Sequence, residues 1–394
     1  MHRPNCYATF AVMFSKNKKL GILGGGQLGK MIALAAGNWH FPIKFLDQQS
    51  DFPTARFAAE FVEGNFKNYE DVLAFGRQCD VISIEIEHVN TDALLQLQKE
   101  GKTIHPKPEK LVLIKDKGLQ KQFYIKHNLP TSPFQLFDNE EIVKKEIADG
   151  RLKFPFVQKS RGGGYDGKGV AVIRSESDLP KLLPGACLIE EMVEIEKELA
   201  VIVARNEMGE IASYPVVEME FNPEANLVEF LICPSEITEE QARISDDLAN
   251  AVIEKLDLCG LLAVELFLTK KGEILINEVA PRPHNSGHHT IDSSYTSQFE
   301  QHIRAVMNLP LGSTKMKLPS VMVNLLGADG YTGDAFYEGF EKCLNVEGVN
   351  MHLYGKTVTK PFRKMGHATI VAASINEAKD KGKFVKENLI IKTK

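Results

Sequence analysis

Between residues 261 and 276 the chain carries two apolar runs, 261–268 and 274–276, joined by Thr269-Lys270-Lys271-Gly272. Two apolar runs around a short polar, glycine-containing link specify a β-hairpin. This hairpin limits the possible folds more than any other stretch, because a carboxylate accompanies each run: Glu265 inside the first and Glu278 just past the second. A carboxylate withdrawn from water is costly unless it is paired or holds a cation. Two that face each other repel unless a divalent metal lies between them. Metal binding by Glu265 and Glu278 is therefore expected; the plainer alternative is that they cap strand ends and pair with lysines. Asn277, Arg282, His284, Asn285, His288 and His289 crowd into the following loop, stiffened by Pro281 and Pro283. So many polar groups after a buried hairpin point to a site.

The rest of the chain must supply further cores, since 394 residues suggest two to four lobes. With 43% hydrophobic and 25% charged residues the composition is that of a soluble globular protein. A net charge of −5 argues against coating nucleic acid, which needs a basic face, but leaves room for local phosphate pockets. Six cysteines without a C-x-x-C pair argue against a zinc knuckle or a disulfide framework and fit a reducing cytoplasm. The apolar segment 7–14 is too short to span a bilayer and has no clean cleavage site. Residues 1–18 read as a disordered tail, or as an upstream start with Met13 the functional beginning.

Taken in order, the chain first offers a strand over 19–23, the run Gly24-Gly25-Gly26-Gln27-Leu28-Gly29, and a helix over 30–36. Strand, G-x-G-x-x-G and helix cradle phosphates through open backbone amides. Asp47, after the apolar run 43–46, leaves a Rossmann dehydrogenase open; a tight βα turn is the plainer reading. A strand over 81–87 ends in Glu85 and Glu87, either of which faces a ligand if the site lies at the carboxyl ends of the strands, and Glu87 is favoured. Residues 19–114 thus form an α/β lobe. A helix over 118–127 follows, then a strand over 154–159 ending in Lys159. Residues 160–169 hold five glycines in eight positions before a strand over 170–173. A glycine loop between two strands, flanked by lysines, suits phosphates but is not a Walker A loop, which lies between strand and helix; a merely flexible hairpin is the alternative. Further strands are expected over 188–193, 198–203 and 214–217, with helices over 236–256 and 298–307. The last 80 or so residues hold strands over 320–325, 349–354 and 368–373. Between them, residues 354–367 contain four basic side chains in fourteen positions, an anion pocket or a solvated basic turn.

Together the motifs resemble the ATP-grasp superfamily and, within it, the family of N5-carboxyaminoimidazole ribonucleotide synthetases. G-G-G-Q-L-G at 24–29, G-G-Y-D-G-K-G at 163–169, I-N-E-V-A-P-R-P-H-N-S-G-H at 276–288 and G-K-x-x-x-x-x-x-R-K-M-G-H at 355–367 carry the likeness, which covers about 19–375. It implies an α/β and α+β multidomain protein with an ATP-grasp fold. A Rossmann-like pre-ATP-grasp domain would span 19–114. The ATP-grasp domain would span 115–311, its lid 115–187 and its nucleotide and metal lobe 188–311. A small β-rich domain would span 312–394. Plants and fungi often fuse such an enzyme to a mutase domain, for which the chain leaves no room.

The resemblance also implies residue roles. ATP and magnesium are the expected cofactors. Lys117 and Lys159 would meet the phosphates, under a loop of Gly163, Gly164, Tyr165, Asp166, Gly167, Lys168 and Gly169. Glu190, Glu191, Met192 and Val193 would meet the adenine and Glu198 the ribose; Glu265 and Glu278 would bind the metal beside Asn277. Gly26, Gln27, Leu28, Glu87, Tyr165, Lys168, Arg282, His284 and Asn285 would line the aminoimidazole and bicarbonate sites, and Lys356 and Arg363 the 5′-phosphate. Arg282, His284, Asn285, Tyr165 and Lys356 are the catalytic candidates, with His284 accepting a proton. Lys117 stands where the family often has arginine, losing bidentate geometry, and Phe221 where histidine is common. The implied reaction is ATP-dependent carboxylation of 5-aminoimidazole ribonucleotide by bicarbonate through carboxyphosphate, in a cytoplasmic homodimer of purine biosynthesis with no nucleic-acid or membrane partner. A formyl-phosphate-forming transformylase and a regulatory module without catalysis are the rival readings.

Overall fold

The computed structural model describes residues 18–163, 169–222 and 227–394, the Asn222 side chain excepted. The chain divides into two compact units, Met1–His105 and Pro106–Lys394.

In the first unit the described elements are β1 (Leu20–Leu23), α1 (Gln27–Gly37), β2 (Ile43–Asp47), β3 (Glu60–Glu63), α2 (Tyr69–Arg77), β4 (Val81–Ile84), α3 (Thr91–Lys99) and β5 (Thr103–Ile104). The strands form one parallel sheet in the order β3-β2-β1-β4-β5. β1 and β4 are buried along their whole length, as befits central strands that have helices on both faces. Asn68 and Asn90 cap α2 and α3 by accepting backbone N–H bonds. The strand expected over 81–87 stops at Ile84, so Glu85 and Glu87 lie beyond its carboxyl end.

The second unit opens with α4 (Pro108–Lys115), α5 (Lys117–Lys126), β6 (Phe134–Phe137), α6 (Glu140–Ala148), β7 (Phe156–Ser160), β8 (Val170–Ile173) and β9 (Cys187–Glu191). The four strands make an antiparallel sheet in the order β6-β9-β7-β8. Phe137, Val143, Phe156, Ile173 and Ile189 form the core of this lobe. Period-2 alternation then turns Lys159 and Glu190 to the other face.

A larger sheet follows, built from β10 (Ile195–Arg205), β11 (Ile211–Ser213), β12 (Val217–Asn222), β13 (Leu227–Cys233), β14 (Gly260–Thr269) and β15 (Ile274–Ala280), with α7 (Glu239–Lys255) between β13 and β14. After β15 come α8 (Thr290–Ser293), α9 (Gln298–Val306), β16 (Ser320–Leu326), β17 (Gly333–Asp334), β18 (Phe336–Glu338), α10 (Phe340–Leu344), β19 (Val349–Leu353), β20 (Val358–Thr359), β21 (Lys364–Val371), α11 (Ile375–Asn388) and β22 (Ile390–Lys392). The sheet order is β15-β14-β10-β12-β13-β16-β21-β19, with β11 on β10. The C-terminal strands therefore extend the same sheet through the β13–β16 pairing, while Val323, Met365, Ile370 and Val385 add their own core beneath α11. On the hairpin half, Leu199, Val201, Val264, Leu266 and Ile276 pack against Val252 and Ile253 of α7 and Tyr124 of α5.

Two further local readings of the sequence need correction. The hairpin strand expected over 274–276 runs on to Ala280, so Glu278 is inside it. The strand expected over 214–217 belongs instead to 217–222, because Tyr214–Val216 link β11 to β12.

Candidate active site

The core packing decides which side chains of the hairpin face outward. On β14, Val264, Leu266 and Leu268 are buried in the core, so Glu265 and Phe267 project from the opposite face, both half-buried. Register places Ala200, Glu265 and Glu278 in one row across β10, β14 and β15. The pairing slips between Glu265 and Leu266, leaving Asn277 as the extra residue of a bulge. Bulges re-aim side chains next to sites, and this one brings Asn277 to the pair: its Nδ2 donates to Glu265 Oε2 at 3.4 Å. Burial pushes the Glu265 carboxyl above its ordinary value, against the pull of Lys117, Lys159 and Lys364. Glu198, one row along the same face, is pushed up to about 7 by burial and then by the charge of Glu265.

Lys117 and Lys159 act on these carboxylates, and two further cations, Lys121 and Arg161, pair with Glu190 and Asp116 nearby. Lys159, at the end of β7, donates to Asn277 Oδ1 at 2.8 Å and pairs with Glu190 Oε2 at 2.7 Å. Lys121 pairs with the other oxygen of Glu190 at 2.5 Å. Burial opposes the charge on Glu190, but Lys159 and Lys121 overcome it and hold its carboxyl below the usual range. Glu190 therefore spends its side chain on two lysines, and its strand is paired on both edges. Lys117, the first residue of α5, forms an ion pair with Glu278. Burial brings both Lys117 and Lys121 down to about 8. Asp116 caps α5 by accepting from the Gly118 and Leu119 amides, and Arg161, at the entrance to the glycine loop, grips the same carboxylate at 2.6 Å. Lysine pairing thus does occur at Glu278, yet both glutamates are mid-strand residues facing each other, not strand-end caps.

Among the described residues no group of three or more His, Cys, Asp or Glu side chains converges as an all-protein metal cage. A magnesium ion needs none, since it is held by one or two carboxylates with water and substrate phosphates. Two carboxylates in adjacent register positions, one carrying a burial penalty, are the right donor chemistry for it.

The loop after β15 supplies a second set of groups. His284 Nδ1 lies 2.9 Å from Ser286 Oγ and accepts from the Ser286 amide at 3.3 Å, while Nε2 lies 3.6 Å from Glu265 Oε1. Asn285 forms a reciprocal amide pair with Asn324 on β16. Arg282 Nη1 donates to the Pro283 carbonyl at 3.1 Å. In the 354–367 segment, Lys356 donates to the Lys364 carbonyl at 2.7 Å and Arg363 to the Val358 carbonyl at 2.6 Å. Beneath them His288, His367 and His352 stack in a row, with centroids 4.6 and 4.5 Å apart, and His352 Nε2 meets Asp292 at 2.8 Å.

Other expected residues fall elsewhere. Gly164, Tyr165, Asp166, Gly167 and Lys168 lie outside the described residues; the flanking Gly163 and Gly169 have φ of +78° and +82°, a region that favours glycine. Glu191 and Met192 are exposed and Val193 half-buried, where β9 gives way to β10. Phe221 packs on the Met219 and Leu231 cluster. In the first unit, Gly25 donates its amide to Asp47 at 2.6 Å and Gly26 its amide to Glu85 at 2.8 Å. Asp47 is thereby committed to the loop, which removes the dehydrogenase reading's ribose acid. Gln27 and Leu28 open α1, and Glu87 is half-buried just past β4. Sequence reasoning missed Lys121, Arg161, Gln298, Asn324 and Lys364. Lys121 had a local signal, one helical turn from Lys117 on the same face; Lys364 lay in the basic 354–367 segment and Arg161 beside the glycine run, without a role assigned to either.

Comparison with known proteins places this geometry in a family. Residues 17–115 match a ribonucleotide synthetase preATP-grasp domain, 122–299 an ATP-grasp domain, and 320–381 a phosphoribosylaminoimidazole carboxylase C-terminal domain. The chain is 37% identical to the phosphoribosylaminoimidazole carboxylase of Candida glabrata across 94% of its own length and 66% of that protein's, so it spans about two-thirds of this relative. The crystal structure of N5-carboxyaminoimidazole ribonucleotide synthetase from Thermotoga maritima is similar at a TM-score of 0.88 and 45% identity, covering 96% of this chain and 100% of that one. The synthase of Aspergillus clavatus in complex with ADP and 5-aminoimidazole ribonucleotide is similar at a TM-score of 0.86 and 30% identity, over 95% and 99% of the two chains.

Proposed function

The chain belongs to the N5-carboxyaminoimidazole ribonucleotide synthetase family of ATP-grasp ligases, and from that membership we propose that it uses ATP and bicarbonate to carboxylate 5-aminoimidazole ribonucleotide on its 5-amino group, releasing ADP and phosphate, in purine biosynthesis. The observation that carries this reading is the Glu265–Glu278 row with Lys117, Lys159 and the His284–Asn285 loop on its borders.

Bicarbonate is a poor electrophile, so its oxygen first attacks the γ-phosphate of ATP to give carboxyphosphate and ADP. Catalysis of such a transfer is positioning plus electrostatics. Lys117 and Lys159 hold the phosphate oxygens; with a pKa near 8, Lys117 keeps most of its charge at neutral pH. Glu265 and Glu278 would hold magnesium, which would neutralise charge on the phosphoryl oxygens. The 5-amino group then attacks the carboxyl carbon as its bond to the phosphate oxygen breaks, releasing inorganic phosphate and a proton, with Arg282 and Lys356 offered to the developing anion. The proton-accepting role expected of His284 from sequence is kept as part of this proposal, its Nε2 lying 3.6 Å from Glu265 Oε1. The lid role of the glycine loop is part of the proposal on family resemblance alone, since residues 164–168 lie outside the described ones. A cytoplasmic homodimer is part of the proposal and rests on family resemblance. No described helix is long and apolar enough to cross a membrane.

The test is ADP release with aminoimidazole ribonucleotide and bicarbonate each left out in turn. The reading expects a small residual rate in both omissions; a rate unaffected by either omission, or restored by formate, overturns it.

A further inference from the structure

The substrate-facing loop is held by two buried amide side chains that no motif singles out. Gln298, fully buried at the start of α9, accepts from the His284 amide through Oε1 at 2.9 Å. Its Nε2 donates to the His284 carbonyl at 2.7 Å and lies 3.2 Å from His288 Nδ1. The Gln298 backbone N–H is itself fixed on Thr290 Oγ1 at 2.9 Å. Gly287 has to be glycine here, because a Cβ would stand 2.4 Å from Gln298 Oε1. One carboxamide therefore clamps both backbone groups of His284, the residue whose ring points at Glu265.

Asn324, 5% exposed on β16, does the same for the neighbouring residue. Its Oδ1 accepts from Asn285 Nδ2 at 2.9 Å and its Nδ2 donates to Asn285 Oδ1 at 3.0 Å. Its second Nδ2 proton goes to the Val228 carbonyl at 2.8 Å. A carbonyl only accepts, so Val228 fixes which way round the Asn324 amide lies, and Asn324 in turn fixes Asn285. The second N–H and second lone pair of Asn285 are thereby set in direction. Two buried carboxamides are poor choices for stability alone, because an apolar pair of the same shape serves a fold as well. What an amide adds is orientation.

We propose that Gln298 and Asn324 are positioning residues that preset His284 and Asn285 for the substrate, with Asn324 the contribution of the C-terminal segment to that loop. The inference rests on the reading that His284 and Asn285 meet aminoimidazole ribonucleotide. A displacement of about 1 Å in such a group costs on the order of 10²-fold in rate.

The experiment is a double-mutant cycle on Asn285→Ala and Asn324→Ala, read by ADP release against aminoimidazole ribonucleotide. Asn324→Ala is expected to lose about 10- to 100-fold in kcat/KM for that substrate, with the KM for ATP within about twofold. Because Asn324 acts through Asn285, the double variant should be no worse than Asn285→Ala alone. Losses that multiply, or an Asn324→Ala variant with native values, overturn the proposal. Should Asn324→Ala fail to fold, Asn324→Asp keeps the shape and removes the donors, and the same outcomes decide. Histidine ring 15N NMR of Gln298→Glu supplies a readout independent of turnover: the His284 signals should shift, and unchanged signals overturn the clamp. A wild-type chain that releases no ADP in response to aminoimidazole ribonucleotide sinks the functional reading instead, while the ring signals still judge the clamp.

Discussion

Glu265 and Glu278 sit opposite one another on neighbouring strands, and each is held there by packing on the reverse face. Replacing either with Gln keeps the shape and removes the charge; the expected loss in kcat is about 10²- to 10³-fold, the range found for one preorganised electrostatic group, measured by steady-state ADP release. Glu198 gives a pH prediction. Its folded pKa of about 7 lies above the ordinary carboxyl value, so the native state holds a proton that the unfolded chain has released. Stability from this group is full at acid pH and is lost as pH rises toward 7. Thermal melts of the protein and of Glu198→Gln from pH 4.5 to 7.5 should show the wild type losing more stability across that window; parallel curves would refute the assignment. The glutamates were readable in the sequence because a charge inside an apolar run breaks the pattern. Gln298 and Asn324 were not, because their partners lie on other elements and an isolated amide carries no periodic signature.

Helix α5 carries both Lys117 and Lys121, and its N-terminus is secured by Asp116, whose carboxylate also takes Arg161. Asp116→Ala removes the cap and frees the arginine. A loss of about 1–2 kcal/mol is expected by chemical denaturation, together with a raised KM for ATP because Lys117 is the first helical residue. A variant with native KM for ATP would show that the cap does not place Lys117. Sequence patterning recovered elements marked by a continuous apolar run or an apolar stripe, among them β1, β8, α7, α9 and the first hairpin strand. The end of β15 was read short because Asn277 and Glu278 interrupt its apolar run, although the bulge they form is what builds the site. β13 escaped notice, its alternation being blurred by Glu229 between Val228 and Phe230. Helix α11 was missed for a different reason: two of its three buried residues are Ala378 and Gly382, too small to mark an apolar stripe.

The second unit brings its two antiparallel sheets together through contacts that cross long stretches of sequence: Lys159 with Asn277, Lys117 with Glu278, and Thr131 with the Ile276 carbonyl. The C-terminal strands then continue the larger sheet and deliver Asn324, Lys356 and Lys364 to the borders of the same site. Such long-range pairing leaves no local trace, which is why motif order pointed to the family while the lysine–glutamate network stayed hidden. If the chain works as proposed, the glutamate pair is the seat of the cation that accompanies the triphosphate. Calorimetric titration of a non-hydrolysable ATP analogue with and without magnesium, on the wild type and on Glu265→Gln/Glu278→Gln, tests it most directly. Magnesium should tighten binding to the wild type by at least about tenfold, some 1.4 kcal/mol, and leave the double variant unchanged. An equal magnesium effect in both proteins would contradict the account.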